Sequence, residues 1–172
     1  MVDIEGDEPV PKDCEARSEA SQEAPGWFDE DLRWALSFWH EARNGGALPV
    51  KSRIDPLRFP PRCLEMAFLF ELRDEEWYAR LIGTGYFALY GQDVTGRRVS
   101  DFIRETGSGP RVLVDYATAR SQRVPVFSRS ILNWRPIGGQ LPYHRIVLPF
   151  AADAEAADVR YLLGFTKLFG LP

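Results

Sequence analysis

The chain is poor in sulfur and histidine, and it has no long apolar run. Its two cysteines, Cys14 and Cys63, form neither a disulfide framework nor a metal-ligand spacing, so a reduced, cytoplasmic protein is the expectation. No stretch approaches the length needed to cross a bilayer, so no membrane association is expected. The first residues lack a basic start followed by an apolar run and are not read as a signal peptide. A nucleophile elbow, a supported carboxylate pair and a metal constellation are all missing. No catalytic or metal residue is therefore assigned, and the chain is not expected to be an enzyme.

Net charge is also scarce outside one end. The net charge is −4 over 172 residues. Residues 1–24 carry eight acids against Lys12 and Arg17, which leaves the rest of the chain close to neutral. The arginines at 97, 98, 120, 123, 129 and 135 read as a solvated face, and nucleic acid is not an expected partner. The acidic segment has no aromatic residue, and its only large aliphatics are Val2, Ile4 and Val10. It cannot bury enough apolar surface to offset the entropy of ordering, so residues 1–25 are expected to be a disordered tail.

What is present is aromatic. Hydrophobic residues make up 45% and aromatics 13% of the sequence, enough for one substantial core. Residues 26–46 predict an N-terminal helix, with acids Asp29, Glu30 and Asp31 in its first turn and a stop at Asn44-Gly45-Gly46. Phe28, Leu32, Ala35, Leu36 and Trp39 recur at helical spacing on one face. Trp27, Trp34 and Phe38 fall on a second side. That side is either a partner surface, used in a homodimer, or the mark of a helix wedged between two parts of its own core.

Residues 65–72 and 77–83 read as strands, and the short link Asp74-Glu75-Glu76 makes them antiparallel. Residues 111–122 predict a helix. Three more strands are expected at 124–135, 141–151 and 159–170, the first two joined by a hairpin at Pro136 to Gln140. Strands clustered around a helical centre argue for an α+β fold with an antiparallel sheet.

Gly83-x-Gly85-x-x-Ala88 spells a dinucleotide-binding loop. That loop requires a helix of real length after it and a parallel strand beside it. Here Gly91 and Gly96 interrupt the chain too soon, and the preceding strand is already paired antiparallel. The glycines are better read as an exit from the second strand into short helices that wall a pocket.

With "LP…RIDP" (residues 48–56), "YARLIGTGYFALYGQDVTGR" (78–97), "RIVLPFA" (145–151) and "YLLGF" (161–165), residues 34–169 resemble a PAS domain of the single-domain bacterial, PAS_5 type. The resemblance implies a five-stranded antiparallel sheet with short helices over one face, spanning 47–172, with the N-terminal helix as an addition. It also implies a sensory or regulatory module without its own output domain. Such a module binds a small ligand or a signalling partner and acts through altered association. A small pocket enzyme and a ligand-free dimerising adaptor are the alternatives.

The same resemblance bears on cofactors, whose identity the sequence leaves unknown. The cysteine-bearing motif of flavin photosensors is absent near "GRRVSDF", which on this resemblance excludes cysteinyl-flavin photochemistry. No histidine lies on the helix that carries the haem ligand in haem sensors, and His40 stands outside the core, so haem is not expected. For the pocket wall, strand alternation sets His144 opposite Arg145. If Arg145 faces solvent, His144 faces the ligand. Tyr86 and Tyr116 are wall candidates, and Phe68 and Phe70 share a side of their strand as core or contact residues.

Overall fold

In the computed structural model, residues 16–106, 109–132 and 141–169 are described. Six strands form one antiparallel sheet in the order β1-β4-β5-β6-β2-β3. They are β1 Arg17–Ala20, β2 Ala67–Arg73, β3 Glu76–Ile82, β4 Val126–Leu132, β5 Leu141–Ala151 and β6 Val159–Leu168. Five helices accompany them: α1 Arg33–Arg43, α2 Pro61–Leu64, α3 Thr84–Tyr90, α4 Val99–Thr106 and α5 Gly109–Gln122. The α+β antiparallel architecture agrees with the sequence reading, and the turn predicted at 136–140 lies outside the described residues.

Three expectations are corrected. The sheet has six strands, because Arg17–Ala20 pairs with β4, from Arg17↔Arg129 to Ala20↔Val126. The predicted tail therefore includes an ordered strand. A polar four-residue segment needs no apolar burial for this, since the backbone groups of an edge strand supply the pairing. Residues 1–15 lie outside the described residues. The N-terminal helix is also shorter than 26–46: a 3₁₀ turn, Glu30–Leu32, precedes α1, and the Asp29 side chain caps it by accepting from the Asp31 N–H. Asn44, in the left-handed conformation, ends α1 as predicted.

The sheet is covered on both faces, and alternation divides its side chains between two cores. On one face Phe127, Ile146, Leu148, Phe150, Leu163 and Phe165 pack with Leu32, Ala35, Phe38 and Trp39. Trp39 is fully buried, and its indole N–H donates to the Pro149 carbonyl of β5 at 2.8 Å. On the other face Phe68, Phe70, Val126, Val147 and Leu162 pack with Phe102 and Ile103 of α4 and Tyr116 and Ala119 of α5.

This double cover resolves the second side of the N-terminal helix. Phe38 is buried and lies edge-on to Phe59, with ring centres 5.2 Å apart. Trp34, half-buried, contacts Phe59 and Phe165. Trp27, also half-buried, sits among His144, Arg17 and Arg129. The segment that carries Phe59 folds back against α1, so the second aromatic side packs on its own chain. The open partner surface expected from Trp27, Trp34 and Phe38 is corrected to an internal one.

Candidate functional site

A cavity of about 110 Å³ lies between the sheet and helices α3, α4 and α5. Rows of cross-strand neighbours run under it, and of these Phe68, Ser130, Tyr143, Arg145, Thr166 and Leu168 line it. One row is apolar: Val126, Val147, Gly164 and Phe68. The next is polar: Ser128, Arg145 and Thr166. The third joins Ser130, Tyr143 and Leu168. Gly164 has a specific task in the first row. A Cβ there would collide with the Phe68 ring, so glycine lets that ring lie flat on the sheet and stack on Phe70 at 4.3 Å.

Two helices supply the roof. In α3, Tyr86, Leu89 and Tyr90 share a face at helical spacing and line the cavity. The Tyr86 hydroxyl is 2.6 Å from Thr166 Oγ1. Gly91, in the left-handed conformation, ends this helix after seven residues. With β3 antiparallel to β2, neither the long helix nor the parallel strand of a dinucleotide loop is present. From α5, Val112 and Tyr116 point inward, and Tyr116 meets Phe70 edge-on at 5.4 Å.

Arg145 is the group that organises the polar row. It is 6% exposed, and its Nη2 donates to Asp115 Oδ2 at 2.7 Å, an ion pair closed off from water on both sides. The guanidinium lies over the rings of Tyr116 and Tyr143, at 5.5 and 5.6 Å from their centres. Its Nε is buried without a hydrogen-bond partner among the described residues, as is the Ser128 hydroxyl across the strand. Burial works against the arginine's charge, but Tyr116, Tyr143 and Asp115 together keep its pKa above the ordinary value. Burial raises the neighbouring phenols: Tyr90 is pushed up to about 12, and Tyr86 and Tyr116 also shift upward. At neutral pH the cavity thus presents protonated hydroxyls and the guanidinium groups of Arg145 and Arg111.

Four of the five residues predicted for a ligand wall, Phe68, Phe70, Tyr86 and Tyr116, line this cavity. His144 does not. It faces the α1 side, half-buried, where its Nδ1 accepts from the Asp29 N–H at 3.0 Å and its ring stacks on Phe28. Burial, the largest influence, lowers its pKa. Asp29 opposes that shift, and Arg129 and Lys167 add to it. The prediction failed because it assigned Arg145 to solvent on account of its charge. With both faces covered, that charge is instead neutralised inside by Asp115.

Sequence reasoning missed Arg145, Tyr143, Tyr90 and Thr166. One signal was available: an arginine embedded in "YHRIVLPFA" has too few polar neighbours for a solvated face. His40, considered for haem, makes ring-nitrogen contacts to the Gln22 carbonyl at 2.8 Å and to Arg43 at 3.2 Å. Among the described residues there is no group of three or more metal-ligating side chains, and no helix is long and apolar enough to cross a membrane.

A family model described as "PAS domain" matches residues 29–165, which includes α1. No curated protein matches the chain. Among solved structures, an RNA-binding light-oxygen-voltage receptor is similar over 90% of this chain, with 12% identity and a TM-score of 0.49. This chain spans 38% of that protein's length. The light-state dimer of the fungal blue-light photoreceptor Vivid is similar over 84% of this chain and 97% of its own, with 15% identity and a TM-score of 0.49.

Proposed function

The chain belongs to the PAS domain family, and from that premise we propose that it is a non-catalytic sensory module. It holds a small ligand in the cavity under α3, α4 and α5 and reports occupancy to a protein partner through altered association. The observation that carries this reading is the cavity itself. Protein interiors are packed to crystal density, and an unfilled volume costs roughly 24 cal/mol per Å³. At about 110 Å³, open in part to solvent and lined by phenylalanine, tyrosine and arginine side chains, this cavity departs from that packing and offers a ligand apolar contact with polar anchors.

Size and protonation narrow the function. An engineered cavity of about 150 Å³ holds benzene, so the size of this space supports a ligand built on a single ring. General acid–base catalysis is best served by a group that titrates near the operating pH. The phenols described above shift away from neutrality, and Arg145 stays charged, which supports binding over catalysis.

The route outward runs through β5. Tyr143 and Arg145 face the cavity, while His144 between them holds the backbone of Asp29 on the opposite face. Lys167, the cross-strand neighbour of His144, binds the carboxylates of Asp29 and Asp31 at 3.0 and 2.7 Å. A ligand that moves β5 therefore moves the segment leading into α1. The partner is a signalling protein or a second copy of the chain, and a contact with either uses a surface other than buried Phe38.

Native mass spectrometry of the purified protein tests the reading. The expected result is a retained small mass that disappears on unfolding, with the subunit count read in the same spectrum. A bare chain whose Tm also fails to respond to single-ring compounds would overturn it.

A further inference from the structure

The polar row beneath the ligand cavity specifies more than size. Resting on the reading that this cavity binds a ligand, we propose that the ligand is a small monocarboxylate with an apolar body, and that Arg145 receives its carboxylate.

Three observations converge. First, Arg145 carries five N–H donors, yet among the described residues its side chain makes one hydrogen bond, to Asp115, and its buried Nε has no partner. A buried guanidinium N–H without an acceptor is costly, and a carboxylate is the acceptor that matches the guanidinium fork. Second, among the described residues the lining contains two arginines, Arg111 and Arg145, and no carboxylate, since Asp115 stands outside it. Asp115 offsets the charge of Arg145, and the exposed Arg111 adds a second positive group that favours the approach of an anion.

Third, the guanidinium sits against Tyr116 and Tyr143, its carbon 5.5 and 5.6 Å from their ring centres, which limits the freedom it loses when a ligand binds. The remaining space is walled by Phe68, Phe70, Phe102, Ile82 and Leu132, which suits a hydrocarbon ring. A neutral carbonyl compound offers the guanidinium one acceptor oxygen where a carboxylate offers two.

Isothermal titration of the intact protein with benzoate, benzamide and toluene separates these cases. Benzoate is expected to bind at least tenfold more tightly than benzamide or toluene. Arg145→Met should abolish that preference. Because this variant leaves Asp115 buried and unpaired, Arg145→Met/Asp115→Ala serves as the folded control, with circular dichroism confirming its structure. It should take toluene at least as well as benzoate.

Benzamide or toluene binding as tightly as benzoate would overturn the carboxylate assignment and leave the ligand-binding reading standing. So would undiminished benzoate preference in the double variant. Failure of all three probes to bind would overturn both.

Discussion

Breaking the Arg145–Asp115 pair one residue at a time gives the sharpest measure of how the cavity floor is held. Both side chains are almost fully buried, at 8% and 4% exposure, so solvent screening gives little relief. Replacing either one leaves the other as an uncompensated charge in an apolar core, a change that costs about 3–5 kcal/mol. At the lower end, Arg145→Met and Asp115→Ala should each cost about 3 kcal/mol. For a domain of this size that lowers Tm by about 6–12 °C, at about 2–4 °C per kcal/mol. The double variant has no orphaned charge and should be no less stable than the worse single variant. The non-additivity is then about 3 kcal/mol, the upper end for residues in contact. Urea unfolding of the four proteins, with a common slope, measures it. Additive losses, or an Arg145→Met protein as stable as the parent, would refute the buried-pair account.

Three other predictions follow from the geometry. Gly164→Ala forces the Phe68 ring off the sheet and should cost about 1–3 kcal/mol, partly restored by Phe68→Leu; chemical unfolding of the single and double variants checks this. His144 has a folded pKa below its ordinary 6.5, so the unfolded chain takes up the proton first as pH falls. Its contribution is complete above pH 6.5 and declines as pH drops through the lower folded value. His144→Asn, which keeps an acceptor but cannot titrate, should therefore flatten the fall of Tm between pH 7 and 5. The β2–β3 turn places both Asp74 and Glu75 at positive φ, 47° and 65°, a conformation that favours Asn-Gly. Asp74→Asn/Glu75→Gly should raise Tm despite losing the exposed Glu75–Arg120 pair, and an unchanged or lower Tm in a thermal scan would count against strain in that turn.

The sequence was most legible where periodicity and turn chemistry agreed. β2 and β3 were read from two apolar runs around Asp74-Glu75, and α5 from Val112, Tyr116 and Ala119. β5 was located to its end residues, but its orientation was not. Alternation separates Tyr143, Arg145 and Val147 from His144, Ile146 and Leu148 without saying what covers each set. Only the fold brings Asp115, 30 positions away, against Arg145. The same limit hid β1. "RSEA" carries no apolar pattern, and its strand exists because β4 offers a free edge. The two sides of α1 posed a similar question, which Phe59 answers through a tertiary contact.

The double cover of the sheet also acts as a proofreading device during folding. A slip of β5 by one residue that carries Arg145 into the place of Ile146 would set it between Phe127 and Phe165 and turn Ile146 to the opposite face. In a sheet with one wet face, the misplaced set would at least find water on one side. Here both sides reject the error at once, so β5 has one register that the rest of the molecule can close upon.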